Sequence, residues 1–193
     1  TLDSTAGASL RYTRNGYGEL EGFTATGGSD ADGAGSWESA HRHDTLGFEV
    51  ERILPGGIVR SFAYDDIGRL VDDRTRKDSR TRHMRRYRWG VADRLLSVED
   101  SRRGETRYSY TPTGQLERAE YPDGRVQWRK SDQTGNLYPD PDMKLRRYLG
   151  GGRLEQDGEW HCEYDADGNL TERYLGTGRW LDGKKDRWRY RWN

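Results

Sequence analysis

The feature that most constrains this chain is a short motif that returns along most of its length. An aromatic residue is followed four positions later by glycine and six positions later by leucine, as in Tyr64, Gly68 and Leu70. Starts at 43 and 64, and at 89, 110 and 131, lie 21 residues apart, and such phased recurrence indicates a repeat architecture. The other clear copies are Tyr110, Gly114 and Leu116, then Tyr148, Gly152 and Leu154, then Tyr164, Gly168 and Leu170. Partial copies stand at Arg14, Gly18 and Leu20, at His43 and Gly47, at Trp89 and Leu95, at Ser131, Gly135 and Leu137, and at Tyr174, Gly178 and Trp180.

The motif has the spacing of a β-hairpin with a three-residue loop. Such loops usually form a type I turn followed by a residue in the left-handed region, where glycine fits without steric cost. Asp65, like Asp165 in its own copy, stands at the first turn position, which favours Asp because its carboxylate accepts a local backbone hydrogen bond. Gly68 then takes the left-handed position, and Tyr64 and Leu70 face each other across paired strands. Aromatic–aliphatic pairs of this kind contribute roughly 0.2–1 kcal/mol each.

Between these turns the chain alternates as β-strands do. Second turns follow some repeat glycines, at 54–57 and 121–124, which leaves strands of about five to eight residues. Apolar and polar residues alternate in 126–129 and 160–164, and no helical periodicity of comparable strength is present. We therefore predict an all-β chain in which successive antiparallel hairpins form one curved, twisted sheet.

The repeat continues on both sides of one Gly-rich stretch, residues 26–36, whose composition is typical of a flexible loop. We therefore predict a surface loop inside a single repeat segment that spans 1–193, with a domain boundary as the alternative. The chain opens at Thr1 without methionine and stops in mid-pattern at Asn193, so we expect a piece of a longer protein. Unpaired strand edges of such a piece favour edge-to-edge self-association.

Composition bears on whether such a chain folds. Only 31% of the residues are hydrophobic and 34% are charged, a balance that alone favours disorder. The formal net charge is zero, however, and the chain has 7 Trp and 12 Tyr, whose rings bury large areas while keeping a polar tip. We expect an ordered chain with thin layers and much solvent-exposed surface. Zero charge gives no overall attraction to nucleic acid, no apolar stretch reaches a membrane span, and the single Cys162 excludes an internal disulfide.

These motifs resemble the Rhs/YD-repeat family over most of the chain. The stretches that carry the resemblance are 54–57, 64–70, 87–95, 135–137, 151–154, 164–170 and 188–193. The resemblance implies a long β-ribbon that spirals into a hollow shell, as in bacterial polymorphic toxins, Tc toxin complexes and the similar shells of animal teneurins. It also implies a non-catalytic wall segment that joins the remainder of the parent shell and encloses a C-terminal toxin domain. Such a protein would be secreted or delivered by a bacterial secretion system.

One element of that family has no counterpart in this sequence. Members that release their cargo carry a self-cleaving aspartyl-protease segment after the repeats, and Asp140-Pro141-Asp142 lacks the surrounding motif. The acidic pair Asp72-Asp73 is interpreted as a solvated strand end rather than as a general acid–base pair. We therefore predict no catalytic residues, no cofactor and no metal.

Two binding functions compete with the structural interpretation. Segment 74–94 interleaves arginines with Tyr87 and Trp89, a composition that can bind single-stranded nucleic acid by charge neutralisation and base stacking. The simpler interpretation is that these arginines pair with acidic residues on adjacent repeats or contact an enclosed cargo, which argues against nucleic acid as a partner. Rows of Tyr and Trp leave carbohydrate or surface recognition as a further alternative, although strand pairing accounts for their spacing.

Histidine and cysteine have structural explanations. His41 and His43 lie two residues apart and share a strand face, but they supply only two of the four ligands of a closed zinc site. His161 and Cys162 are neighbours on a predicted strand and therefore point to opposite faces, so they cannot form a catalytic dyad with each other.

Overall fold

The all-β prediction is confirmed, but the described strands form three antiparallel sheets rather than the single sheet expected. The computed structural model describes residues 1–3, 8–27, 36–176 and 187–192. Apart from three 3-10 turns, each regular element in these ranges is a β-strand, and paired strands are antiparallel. The chain divides into two compact units, Thr1–Thr106 and Arg107–Asn193. The prediction of one repeat segment over 1–193 stays a prediction.

The first unit contains an antiparallel sheet in which each strand pairs with the next along the chain. Hairpin connections are sufficient for this order, and 3-10 turns at Pro55–Gly57 and Val91–Asp93 make two of them. The strands are β1 (Leu2–Asp3), β2 (Ser9–Arg14), β3 (Leu20–Thr26), β4 (Ser36–His43), β5 (Glu49–Leu54), β6 (Ile58–Tyr64), β7 (Leu70–Lys77), β8 (Arg80–Trp89) and β9 (Leu95–Asp100).

The second unit contains shorter strands. They are β10 (Gly104–Tyr110), which begins before the unit boundary, β11 (Leu116–Glu120), β12 (Val126–Trp128), β13 (Lys130–Ser131), β14 (Leu137–Tyr138), β15 (Arg146–Leu149), β16 (Arg153–Asp157), β17 (Trp160–Tyr164), β18 (Leu170–Leu175) and β19 (Arg187–Arg189). β10 to β12 pair in order, β13 pairs with β14, and β15 to β19 pair in order. A 3-10 turn at Gly150–Gly152 connects β15 to β16.

The described residues contain no conventional hydrophobic core. Strands pack mainly against their neighbours in sequence rather than against a second layer. The buried residues are apolar at Ala119 and Cys162 and polar at Ser39, Asp73, Ser97 and Asp100. Burial therefore comes from neighbouring side chains on the same sheet, in agreement with the expected thin layers.

Asp73 shows that one sequence expectation is wrong. The pair Asp72-Asp73 was expected to be a solvated strand end, but Asp73 is only 6% exposed. Its carboxylate accepts a hydrogen bond from Arg60 Nη2 at 2.7 Å. Arg60 lies on the adjacent strand β6, so the long basic side chain both covers and neutralises the aspartate.

The predicted Gly-rich loop at 26–36 lies outside the described residues over 28–35. Its flanks are visible: Thr26 ends β3, Ser36 begins β4, and the two residues are Cα partners. Strand pairing thus includes both end residues of the predicted loop. No helix among the described residues combines the length and the hydrophobicity that crossing a membrane requires.

Candidate functional site: a ladder of repeat turns

The turn at Asp65 shows how the motif is built. Gly68 N–H donates to the Asp65 carbonyl, and Asp65 N–H donates to the Arg69 carbonyl, both at 2.9 Å. The Asp65 carboxylate accepts from the backbone N–H groups of Ile67 at 3.2 Å and Arg69 at 2.9 Å, and from Arg69 Nε at 2.8 Å. Gly68 has a φ of 84°, a left-handed conformation that a Cβ disfavours. Aspartate supplies the acceptor of the turn, and glycine supplies its conformation.

The same cap recurs in other repeat turns. Asn15, Asp44, Asp132 and Asp165 each accept, through one side-chain oxygen, the backbone N–H groups two and four residues ahead at 2.8–3.1 Å. Thr111 offers a hydroxyl instead, which accepts from the N–H four residues ahead at 3.1 Å. The position therefore favours an oxygen acceptor, and Asn or Thr can replace Asp, although the copies with Leu149 and Gly90 there turn without a side-chain cap.

Hydrogen bonding lowers the pKa of three capping carboxylates, those of Asp65, Asp132 and Asp165. The backbone hydrogen bond from Arg69 is the main cause that lowers the pKa of Asp65. Burial raises the pKa of Asp132, but hydrogen bonds from its own turn outweigh burial and lower that pKa to about 2. The side-chain hydrogen bond from Asn169 is the main cause that lowers the pKa of Asp165. Ionised acceptors make stronger hydrogen bonds than neutral ones, which suits a turn cap.

Successive turns also pack against one another. A Cβ on Gly68 would lie 2.5 Å from Cζ of Phe48, and a Cβ on Gly47 would lie 2.7 Å from Oε1 of Glu19. In both cases the contacting side chain comes directly after the glycine position of the preceding turn. Three more residues that directly follow a repeat glycine contact the next turn in the same way. Arg69 donates to the Gly90 carbonyl, Asn136 lies beside Gly152, and Arg153 lies beside Gly168.

The aromatic residue that opens a motif binds the motif before it. Tyr64 Oη donates to the Glu49 carbonyl at 2.9 Å, and Trp89 Nε1 donates to the Leu70 carbonyl at 2.8 Å. Each acceptor stands six positions after the start of the preceding motif. The further examples are Tyr148 to Leu137 at 2.5 Å and Tyr164 to Leu154 at 2.9 Å. Trp192, which lies outside the assigned motifs, donates to the Leu170 carbonyl in the same way at 2.7 Å. The sequence predicted only cross-strand packing for these rings, and their polar tips are the clue to the second role.

The structure places the aromatic of each clear copy opposite its leucine. The Cα partners are Tyr64 and Leu70, Tyr110 and Leu116, Tyr148 and Leu154, and Tyr164 and Leu170, with Ser131 and Leu137 in a partial copy. In the four clear copies the register shifts directly before the aromatic, as at a β-bulge. The described repeat glycines are left-handed, with φ of 84° at Gly68, 93° at Gly114, 89° at Gly135, 74° at Gly152 and 87° at Gly168. The glycine and the tryptophan of the partial copy that starts at Tyr174 lie outside the described residues.

A polar network on β4 and β5 was not evident from the sequence. Ser39 Oγ lies 2.8 Å from His41 Nε2, and His41 Nδ1 lies 2.6 Å from Glu49 Oε1. Arg52 donates to both oxygens of Glu49 at 2.9 and 2.5 Å. The order of groups is that of a hydrolytic triad, but Ser39 is only 7% exposed and its strand is paired on both sides. The geometry therefore favours a structural network.

Asp100 is a second polar centre outside the motif. Its carboxylate accepts from Arg85 Nε at 2.9 Å, from the backbone N–H groups of Arg102 at 2.9 Å and Arg103 at 3.2 Å, and lies 2.9 Å from His83 Nε2. The hydrogen bond from Arg85, followed by that from Arg102, holds the pKa of Asp100 well below its usual range. Asp100 therefore ties β8 to the turn that follows β9.

The basic segment 74–94 is partly paired with acidic side chains, and at its tip Arg82 lies 3.9 Å from Asp78. Its pairs are Arg74 with Asp72 at 3.3 Å, Arg85 with Asp100 at 2.9 Å, and Arg86 with Glu99 at 3.5 Å and with Asp72 at 3.9 Å. Most of these pairs join adjacent strands, which supports the structural interpretation of the segment. Arg76 and Arg88 make no ion pair within the described ranges.

An aromatic cluster lies on β2, β3 and β4. The ring of Phe23 lies 5.1 Å from that of Tyr12 and 5.4 Å from that of Trp37, in tilted and edge-on arrangements. Tyr12 and Trp37 are 42% and 43% exposed. Because the rings pack on one another across strands, they stabilise the sheet whether or not a sugar binds to them.

The remaining candidates have partners in the sheet. His43 is the Cα partner of Glu49, and its Nδ1 lies 4.0 Å from the carboxylate of Glu19. Cys162 lies opposite Arg173 and is 8% exposed, and burial raises the pKa of its thiol. A raised pKa leaves little thiolate near neutral pH. Across the described ranges, His, Cys, Asp and Glu form no group of three or more that could hold a metal ion.

Comparisons with known proteins point to bacterial toxins. No family model matches the chain. Double-stranded DNA deaminase toxin A of Burkholderia cenocepacia is 34% identical over 143 residues, which are 70% of this chain and 10% of that protein. The crystal structure of TcdB2–TccC3–Cdc42 matches 96% of this chain, and 12% of its own, with a TM-score of 0.60 at 15% identity. The Tc holotoxin pore of Photorhabdus luminescens matches 98% of this chain and 12% of its own, with a TM-score of 0.57 at 16% identity.

A third structure shows the same likeness. TcdB2–TccC3 without its hypervariable C-terminal region matches 96% of this chain and 12% of its own, with a TM-score of 0.60 at 15% identity. These matches show a shared fold over almost the whole of the chain. The chain spans only about a tenth of the length of the proteins it matches. The sequence comparison thus shows similarity to a bacterial toxin protein, and the fold comparisons show that the chain shares its fold with part of the Tc toxin structures.

Proposed function

We propose that this chain is a non-catalytic wall segment of an Rhs-type shell that encloses a toxin. The observation that carries the proposal is the ladder of coupled turns, in which a motif binds its predecessor through an aromatic donor and covers the next glycine with a side chain. Neighbour-to-neighbour coupling of this kind extends with each added repeat. It can therefore build a continuous wall without a hydrophobic core.

The comparisons support a toxin as the enclosed cargo. The matched solved structures are Tc toxin components, and the 34% identical relative is named as a deaminase toxin. The partners of this chain would be the remainder of its shell and a C-terminal toxin domain, in a protein that is secreted or delivered by a bacterial secretion system. Wall material needs no cofactor, and the buried Ser39 and Cys162 support a non-catalytic role.

The test is a cryo-electron microscopy structure of the full-length protein that contains this chain, together with limited proteolysis. We expect the repeat turns to line a closed wall and the C-terminal domain to be protected from protease. Gly68→Val should loosen the wall and speed cleavage of that domain by about tenfold, because local opening exposes protected segments. Gly124→Val is the matched control, since no atom lies within 4 Å of a Cβ at that position. An open sheet with a fully exposed C-terminal domain would contradict the proposal.

A further inference from the structure

Two hairpin tips of the first unit carry a concentration of positive charge. The tip between β7 and β8 and the tip after β9 lie at the same end of the sheet, because both connect strands that run towards that end and back. We call their cationic side chains the basic tip cluster, which consists of Lys77, Arg80, Arg82, Arg102 and Arg103, and each of these residues is exposed.

Specific contacts hold the two tips together. The Arg102 guanidinium donates to the Arg82 carbonyl from Nε at 3.3 Å and from Nη2 at 3.0 Å. Asp100 caps the second tip by accepting from the backbone N–H groups of Arg102 and Arg103. The Asp100 carboxylate is already bound to Arg85 and His83. The other carboxylate at the tips, Asp78, approaches only Arg82 within the described ranges, at 3.9 Å. The cluster is thus fixed in place while its charge remains largely uncompensated.

The opposite end of the same sheet exposes negative charge. The turns at 44–47, 65–68 and 90–93, which we call the turn rim, each carry an exposed carboxylate, at Asp44, Asp66 and Asp93. Arg69 reaches the carboxylate of Asp93 at 3.2 Å, but that side chain is still 74% exposed. Asp44 and Asp66 have no ion pair in the part of the chain that the structure describes.

The two ends match in spacing as well as in charge. Neighbouring strands of a sheet lie about 4.8 Å apart, so hairpin ends recur every 10 Å or so on both sides. A rim of carboxylates and a row of cationic tips with the same period can therefore meet in register. The basic tip cluster contains no aromatic side chain, and Tyr87 and Trp89 lie at the other end of β8. The base stacking that single-stranded nucleic acid requires is absent from the cluster.

From this placement, we infer that the basic tip cluster of one molecule docks on the turn rim of a second copy of this chain. The contact is head-to-tail, because it joins two different surfaces. Exposed ion pairs are individually weak and are screened beyond about 10 Å at 0.1 M salt, so docking needs several pairs and weakens with salt. The inference concerns a surface of the chain and does not depend on any enclosed cargo.

Charge-reversal variants test this inference, and sedimentation velocity on nuclease-treated protein measures their association. The tip variant is Arg80→Glu with Arg103→Glu, and the rim variant is Asp66→Lys with Asp93→Lys. We expect the association constant of the wild type to fall about tenfold or more when the salt concentration rises from about 0.05 M to about 0.3 M. Each variant alone should associate about tenfold more weakly than wild type at low salt. An equimolar mixture of the two variants should recover association, because opposite charges again face each other.

A matched control separates the tips from net charge. Arg11→Glu with Arg86→Glu changes the net charge by the same amount but lies in the middle of strands, away from both surfaces, so it should leave association unchanged. A wild-type monomer at low salt would overturn the inference. Association that ignores both reversals and salt would also overturn it and would indicate pairing of strand edges. Association that disappears on nuclease treatment would overturn it in favour of nucleic acid.

Discussion

Two turns of this molecule share a backbone but differ in their surroundings. In the repeat turn at 65–68, Gly68 N–H donates to the Asp65 carbonyl at 2.9 Å, and in the turn at 121–124, Gly124 N–H donates to the Tyr121 carbonyl at 3.0 Å. The glycines have nearly equal φ values of 84° and 83°. A Cβ on Gly68 would strike the Phe48 ring, whereas a Cβ on Gly124 would meet nothing within 4 Å.

The side chains at the first turn position differ too. Asp65 accepts two backbone N–H groups and binds Arg69, whereas the hydroxyl of Tyr121 donates to the exposed side chain of Gln127 at 2.8 Å. The comparison shows that one backbone geometry serves two purposes. The first turn joins one repeat to its neighbour, while the second reverses the chain. Variants at matched positions should separate the cost of the turn from the cost of the coupling.

The largest difference should come from the two glycines. Gly68→Ala should cost about 3 kcal/mol, because left-handed backbone strain of roughly 1–2 kcal/mol adds to overpacking against Phe48 of roughly 1–3 kcal/mol. Gly124→Ala should cost only the strain, about 1 kcal/mol. Urea denaturation followed by tryptophan fluorescence measures both. Equal losses at the two sites would show that turn packing does not couple the repeats.

The capping aspartate should show the next largest difference. Asp65→Ala removes the acceptor of the Ile67 and Arg69 N–H groups, and we expect these amides to exchange about tenfold faster with solvent. Asp123→Ala is the control, because among the described residues Asp123 accepts a single backbone N–H, that of Arg125 at 3.0 Å. Asp65→Asn should retain most of the protection, since Asn15 caps its own turn in the same way. Unchanged exchange in Asp65→Ala would contradict the capping role.

The aromatic donor gives a smaller effect. Tyr64→Phe removes the hydroxyl that donates to the Glu49 carbonyl and should cost about 1 kcal/mol, the usual net value of such a hydrogen bond. Tyr121→Phe, whose hydroxyl binds an exposed side chain, should cost less than about 0.5 kcal/mol. Thermal unfolding of the two variants measures this difference. A larger loss of stability in Tyr121→Phe than in Tyr64→Phe would show that the turn at 121–124, and not the turn at 65–68, couples neighbouring repeats.

The sequence predicted what depends on local spacing and missed what depends on how repeats stack. The left-handed Gly68 and the Tyr64–Leu70 pair follow from seven consecutive positions, so the motif predicted them. The Phe48–Gly68 contact joins two turns whose distance along the chain varies between repeats, and no local pattern encodes it. Asp93 takes a left-handed φ of 54° without being glycine, at a copy where the motif lacks its glycine. The buried Asp100 lies outside the motif altogether.

Lowering the pH should give the smallest difference in local stability between the capped repeat turns and the turn at 121–124. The pKa values of Asp65, Asp132 and Asp165 are lower in the folded chain than usual, and that of Asp132 is about 2. Their stabilisation is therefore complete above the ordinary Asp pKa of about 4 and is lost as the pH falls towards about 2.

Hydrogen exchange measured by NMR between about pH 5 and about pH 2, corrected for the intrinsic rate, reports this loss residue by residue. Protection should fall at Thr134 and Asp167, whose N–H groups donate to capping carboxylates. It should hold at Gly124, whose N–H donates to a backbone carbonyl that does not titrate in this range. Equal loss at all three amides would mean that acid opens the sheet as a whole, and the capping carboxylates would then not set the local stability of the repeat turns.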